Sequence, residues 1–145
     1  MSITTLYEQD FYAWANEQAA LLRAGRLTEA DIANIAEEIE SMGRAEKREL
    51  VSRLGVLLTD LLKWQYQPGH RGTSREGTIA TQRRALLRHL ADNPSLKHKL
   101  REAVDDGYLD ARDMSAAETG LAEQTFPRQC PWSFEQIMAP DFWPD

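Results

Sequence analysis

The stretch TEADIANIAEEIESMGRAEKRELVSRLGVLLTDLLKWQYQPG, Thr28 to Gly69, decides the fold class. Its apolar residues recur at helical spacing, first as Ile32, Ile35, Ile39 and Met42, then as Leu50, Leu54, Leu57, Leu58, Leu61 and Leu62. Nothing in it alternates with the period of two that a half-buried strand requires. Thr28 offers a hydroxyl to cap a helix start beside Asp31, and Pro68-Gly69 supplies the stop. Gly43 interrupts the pattern, while Glu46 and Glu49 fall where a strict heptad needs apolar residues. The spacing predicts a long helix kinked or broken near Gly43, and not a regular coiled coil.

Similar signals lie on both sides of this segment. Upstream, Thr5 and Glu8 make a Thr-x-x-Glu capping box ahead of Tyr7, Phe11, Trp14, Gln18, Leu21 and Leu22, and Gly25 ends that helix. Downstream, Thr73 with Glu76 starts a helix whose inward positions are Ile79, Leu86, Leu87 and Leu90. Asn93-Pro94 stops it and opens the next, which carries the stripe Leu96, Leu100, Val104, Tyr108 and Ala111, a bend at Asp106-Gly107 and an end at Gly120. The tail FPRQCPWSFEQIMAPDFWPD holds one short helix from Ser133, partnered by Gln136, and Phe134, Phe142 and Trp143 are expected to seal one side of the core. Trp64, beside a leucine-rich run, is expected to pack in the core and not to stack on bases. The expected fold is all-α: a helical bundle of four main helices with an aromatic, proline-rich C-terminal tail, forming one domain over residues 1–145.

Composition sets the bounds. A chain of 145 residues, 42% of them hydrophobic, matches one ordinary core. No apolar run approaches the roughly 20 residues that cross a bilayer, and MSITTLYEQD has neither the basic start nor the apolar run of a signal peptide, so a cytoplasmic protein is expected. The single cysteine, Cys130, excludes an intramolecular disulfide and a cysteine-based zinc site, and reads as a semi-buried small side chain. The net charge of −6 conceals three blocks: −5 over residues 1–60, +7 over 61–101 and −8 over 102–145. Such a pattern describes either a docking face or neighbouring helices of opposite sign that neutralise one another.

The segments YEQDFYAW, DIANIAEEIESMGRAEKRELVSRL, LLKWQYQP, TIATQRR, NPSL and ETGL, with the closing FP-CPW and DFWP elements, run in order along essentially the whole chain. In these the sequence resembles the bacterial family catalogued as domain of unknown function twenty-nine. The resemblance implies a small all-helical bacterial protein and brings no activity, substrate or cofactor. The family pattern commonly has a histidine at the place of Asp60 and a tryptophan at that of Arg75, so no histidine mechanism at that place carries over.

The residues themselves offer three functional readings. In IAEEIE, Glu37 and Glu40 share a helix face beside the Ile35-Ile39 stripe, where half-buried carboxylates need cations, with Lys63, Arg83 and Arg84 as candidates. Paired so, they form a buried Glu/Lys/Arg seam in a helical protein-interaction or regulatory module that binds a protein partner or itself. Unpaired, Glu37, Glu40, Asp60, Lys63 and Glu118 become catalytic candidates for a metal-dependent, phosphohydrolase-like enzyme. No cofactor and no metal are expected, and Glu37 and Glu40 are the ligands if a metal is bound. No Glu-x-x-His pair of the di-iron type occurs, and Glu37-Glu38 followed by Ser41 departs from the Glu-Glu-x-x-Glu of all-α nucleotide pyrophosphatases. GHRGTSREG lacks the ending of a phosphate loop. The third reading is nucleic-acid binding through the basic block 63–101, with His70, Arg71, Arg75, Arg84 and Arg88 as anion-binding candidates, against which the acidic thirds weigh.

Overall fold

A computed structural model describes residues 5–145. The fold is all-α, with no strand among the described residues. Among the described residues six helices occur in order: α1 (Leu6–Gln9), α2 (Phe11–Arg23), α3 (Ile32–Tyr66), α4 (Thr73–Asp92), α5 (Leu100–Thr119) and α6 (Phe134–Met138). Short 3-10 segments occupy Pro68–His70, Pro94–Lys99 and Glu123–Thr125. The chain comprises two compact units, residues 1–45 and 46–145.

In the first unit the expected first helix is divided. Thr5 is extended and its hydroxyl makes no capping bond. Asp10 instead leaves helical geometry, and its carboxylate accepts from the Ala13 N–H at 3.0 Å. A carboxylate there satisfies an orphan donor and sits at the positive end of the helix dipole, which is why Asp10 displaces Thr5 as the cap. α2 ends as the glycine predicts: Gly25 takes φ +72°, its N–H donates to Leu22 O, and Arg26 N–H reaches back to Leu21 O at 2.9 Å. These two bonds make a Schellman end, for which glycine is suited because it has no Cβ to strain.

Asp31, not Thr28, caps α3. Its carboxylate accepts from the Asn34 N–H at 3.4 Å, the Asn34 side-chain amide at 2.8 Å and the Trp14 indole at 3.1 Å. Its own N–H donates to Gln18 Oε1 at 2.7 Å. Trp14 and Gln18 are thereby buried and tied to the start of α3, and the tertiary bonds choose the cap over Thr28. The Asn34 hydrogen bond holds the Asp31 carboxyl below its usual range, against the opposite push of burial. Tyr7 packs edge-on to Trp14, with ring centroids 4.7 Å apart, and its hydroxyl donates to Glu38.

α3 is not broken at Gly43. Helix runs from Ile32 through to Tyr66, since a mid-helix glycine costs only about 0.5–1 kcal/mol and its neighbours propagate the helix across it.

In the second unit, the six leucines of α3 between Leu50 and Leu62 pack with Ile79, Leu86 and Leu90 of α4 and with Val104, Tyr108 and Ala111 of α5. α5 runs unbroken through Gly107. A Cβ on it would meet Val51 O at 3.1 Å and Gly55 N at 3.2 Å, so its missing side chain lets α5 approach the backbone of α3. Leu87, expected inside, is exposed, and the inward places on α4 go to Arg83 and His89 as well as to leucines. Pro94 opens a 3-10 segment before α5 begins at Leu100. Thr73 is the first residue of α4 and Gly72 the N-cap, so the expected cap with Glu76 is not made.

The tail covers the core with Phe134 and Trp143, two of the three residues expected, and with Phe126 and Ile137 besides. Phe126 and Ile137 are fully buried, whereas Phe134, Phe142 and Trp143 are half-buried. Trp64 is core, as expected, and packs against Trp143 with the rings tilted by 40° and their centroids 4.7 Å apart. Arg83 fastens the tail from beneath: Nε donates to Ile137 O at 2.8 Å, Nη2 donates to Phe142 O at 2.9 Å, and the guanidinium lies over the Trp143 ring. Burial pushes its pKa below the usual arginine range, with the Asp141 charge opposing. The Ser133–Gln136 capping box forms as predicted and starts α6.

Candidate functional site

Residues 5–45 leave most of their large apolar side chains uncovered. Among residues 5–45 only Trp14 and Gln18 are buried, while Leu6, Phe11, Tyr12, Leu22, Leu27, Ile32, Ile39 and Met42 are exposed. Ile32, Ile35, Ile39 and Met42 follow a 3-4-3 spacing, so they line one side of α3, the seam geometry that receives a second helix. The sequence shows that stripe, but the expected burial does not follow: Ile39 and Met42 are 58% and 63% exposed. This segment also holds Arg23, Arg26 and Arg44 against eight carboxylates, a net −5.

Glu37 and Glu40 do not form a buried seam. Both are exposed, and both pair with Arg44, at 3.0 and 3.8 Å, rather than with Lys63, Arg83 or Arg84. An i, i+4 or near-helix arginine suffices to neutralise carboxylates that water already solvates. The remaining catalytic candidates do gather, in the second unit. Lys63 Nζ lies 2.7 Å from Glu118 Oε2, and Asp60 sits in the field of Lys63, Arg75 and Glu118. Burial raises the Asp60 carboxyl, and the charges of Lys63 and Arg75 partly oppose that rise. Asp60 Oδ2 and Arg75 Nη1 are buried without a hydrogen-bond partner.

The basic block is partly spent within the fold. Arg71 Nε donates to Trp64 O at 2.8 Å, its Nη2 donates to Pro144 O at 3.4 Å, and its guanidinium lies over the Trp64 ring. Arg75 is half-buried. His70, Arg84 and Arg88 are exposed, Arg84 with a 3.3 Å bond to Thr81 Oγ1. Cys130 is half-buried with its thiol against Trp132 O, and burial pushes its pKa up. One grouping was not assembled from the sequence: Glu46 and Glu49 on α3 meet His89 on α4. The signal for its first half was present in the two glutamates that break the heptad, but their partner lies 40 residues further on.

The chain matches the family model described as Domain of unknown function DUF29 over residues 6–143, nearly its whole length. It belongs to that family. Among curated proteins and among solved structures nothing matches it. DUF29 membership thus agrees with the order of motifs along the sequence, and it leaves the activity to be argued from the residues. No helix among the described residues of this DUF29 chain is long and apolar enough to cross a membrane.

Proposed function

We propose that this protein is a helical protein-interaction module whose first 45 residues dock a basic amphipathic helix of a partner protein. The supporting observation is the apolar face of α3, where Ile32, Ile39 and Met42 are all more than half exposed. Contiguous exposed apolar surface is costly in a soluble protein unless a partner covers it. The net −5 of the same segment favours a basic helix over a second acidic copy, because like charge repels and opposite charge steers association. Knobs from such a helix would seat between Ile32, Ile35, Ile39 and Met42, with its lysines or arginines facing the acidic flanks.

The test is a titration of the whole protein with a labelled leucine-lysine amphipathic helix, alongside a leucine-glutamate helix of the same pattern. Saturable binding of the basic helix alone is expected, weakened about tenfold or more by Ile39→Asp with Met42→Asp, since each replaces an apolar anchor by a charge. These residues are exposed, so thermal stability should hardly change. Binding that survives the double substitution would count against this surface. A dimer in light scattering that the same substitutions dissolve would reassign the face to a second copy of the chain.

A further inference from the structure

Glu46 and Glu49 stand one turn apart on α3 and face His89 on α4. The imidazole is 93% buried, as its side chain is 7% exposed. Its Nε2 lies 2.9 Å from the Glu46 carbonyl oxygen. A carbonyl can only accept, so Nε2 carries a proton and donates it there, and Nδ1 is left pointing between the two glutamate side chains. Nδ1 is 3.5 Å from Glu49 Oε2 and 3.7 Å from Glu46 Oε2. Both separations are too long for a hydrogen bond. Nδ1 itself therefore makes no hydrogen bond, although two carboxylates face it.

Those separations suit a different arrangement. With metal–ligand bonds of about 2.1 Å, neighbouring ligand atoms around a tetrahedral zinc ion lie roughly 3.4 Å apart. One ligand atom from each of Glu46, Glu49 and His89 lies within 4.8 Å of the others, so a small inward movement of two glutamate side chains closes the triangle. The supporting contacts are those a metal site needs. The Glu46 carbonyl fixes the ring's orientation and tautomer, and Arg53 Nε and Nη2 hold Glu49 Oε1 at 3.0 and 2.9 Å, leaving Oε2 free to ligate. The three side chains line a cavity of about 400 Å³ shared with Arg53, Arg88 and Asp92, so a fourth coordination position opens toward solvent. Glu46, Glu49 and Asp92 supply three negative charges against the two arginines, a surplus that favours a cation.

We propose that His89 Nδ1, Glu46 and Glu49 bind a divalent zinc-class ion, with water in the open fourth position. Imidazole with carboxylates selects such a metal over magnesium or calcium, which take oxygen ligands alone. This inference stands independently of the helix-docking face.

Calorimetric titration of chelator-treated full-length protein with zinc, and separately with magnesium, tests it. One equivalent of zinc should bind, and Glu46→Gln with Glu49→Gln should weaken it about 100-fold or more, because removing even a supporting contact commonly loses 10–100-fold. Glu37→Gln with Glu40→Gln should leave that binding unchanged. Nitrogen-15 spectra of the wild type give a second readout that needs no variant: on adding zinc, His89 Nδ1 should shift to a metal-bound position while Nε2 keeps its proton. The proposal is overturned if zinc leaves the His89 resonances unmoved, or binds the double variant as well as the wild type.

Discussion

Two aspartates show how environment sets the sign of a pH effect. Asp31 accepts hydrogen bonds from Asn34 and Trp14, which favour its ionised form and hold its pKa below 3.8. Its stabilisation is present above 3.8 and is lost as pH falls through the lower folded value. Asp60 is the reverse: burial raises its pKa above 3.8, so the folded chain takes up its proton more readily than the unfolded chain. Ionised Asp60 therefore destabilises the fold above its folded pKa, and the penalty disappears below 3.8. Asp60→Asn should raise the melting temperature at pH 7, and Asp31→Asn should lower it. Both differences should shrink toward zero in melts recorded as the pH is brought below 3.8. A lower melting temperature for Asp60→Asn at pH 7 would mean that attraction to Lys63 and Arg75 outweighs desolvation.

The glycines of the long helices separate propensity from packing. Gly43 has nothing within 4 Å of a built Cβ, so Gly43→Ala should stabilise by about 0.5–1 kcal/mol through lost freedom in the unfolded chain. Gly107 has backbone atoms of α3 at 3.1 and 3.2 Å from such a Cβ. Overpacking there costs on the order of 1–3 kcal/mol against a propensity gain of about 1, so Gly107→Ala should destabilise despite adding a better helix former. Urea midpoints for the two variants should move in opposite directions. The sequence distinguishes neither glycine from the other, since both interrupt helical patterns. Helix existence was legible from spacing alone, and so were the ends at Gly25 and Gly120, because an αL glycine is a local requirement. Caps were legible only at Ser133. At Thr5, Thr28 and Thr73 another residue of the same stretch takes the role, and at Asp31 the choice rests on Trp14 and Gln18, well outside any local window.

Across the whole molecule, apolar periodicity was informative about the core of residues 46–145 and misleading about residues 1–45. The stripe from Ile32 to Met42 is as regular as the one from Leu50 to Leu62, yet only the second is buried. Periodicity tells which side of a helix is apolar, and what covers that side depends on residues distant in sequence. The same separation hid Arg83, whose acceptors are carbonyls 54 and 59 residues away. This arginine ties the tail to the leucine core, and its removal is therefore a test of how far the tail is held by polar bonds. Arg83→Met keeps much of the apolar stem but leaves the Ile137 and Phe142 carbonyls without their donor, on the order of 1–3 kcal/mol for each carbonyl that stays buried. The loss has a ceiling, because a tail that lifts gives both carbonyls to water at the expense of burying Ile137 and the Trp143–Trp64 pair. Local opening is thus the expected response rather than global unfolding. Amide exchange should quicken in α6 and around Phe142, chymotrypsin should cut near Trp143, and tryptophan emission should shift to the red. Exchange within α3 from Leu50 to Leu62 should stay slow. Equal acceleration in the tail and in that leucine segment would show instead that the core and its cover unfold as one cooperative unit.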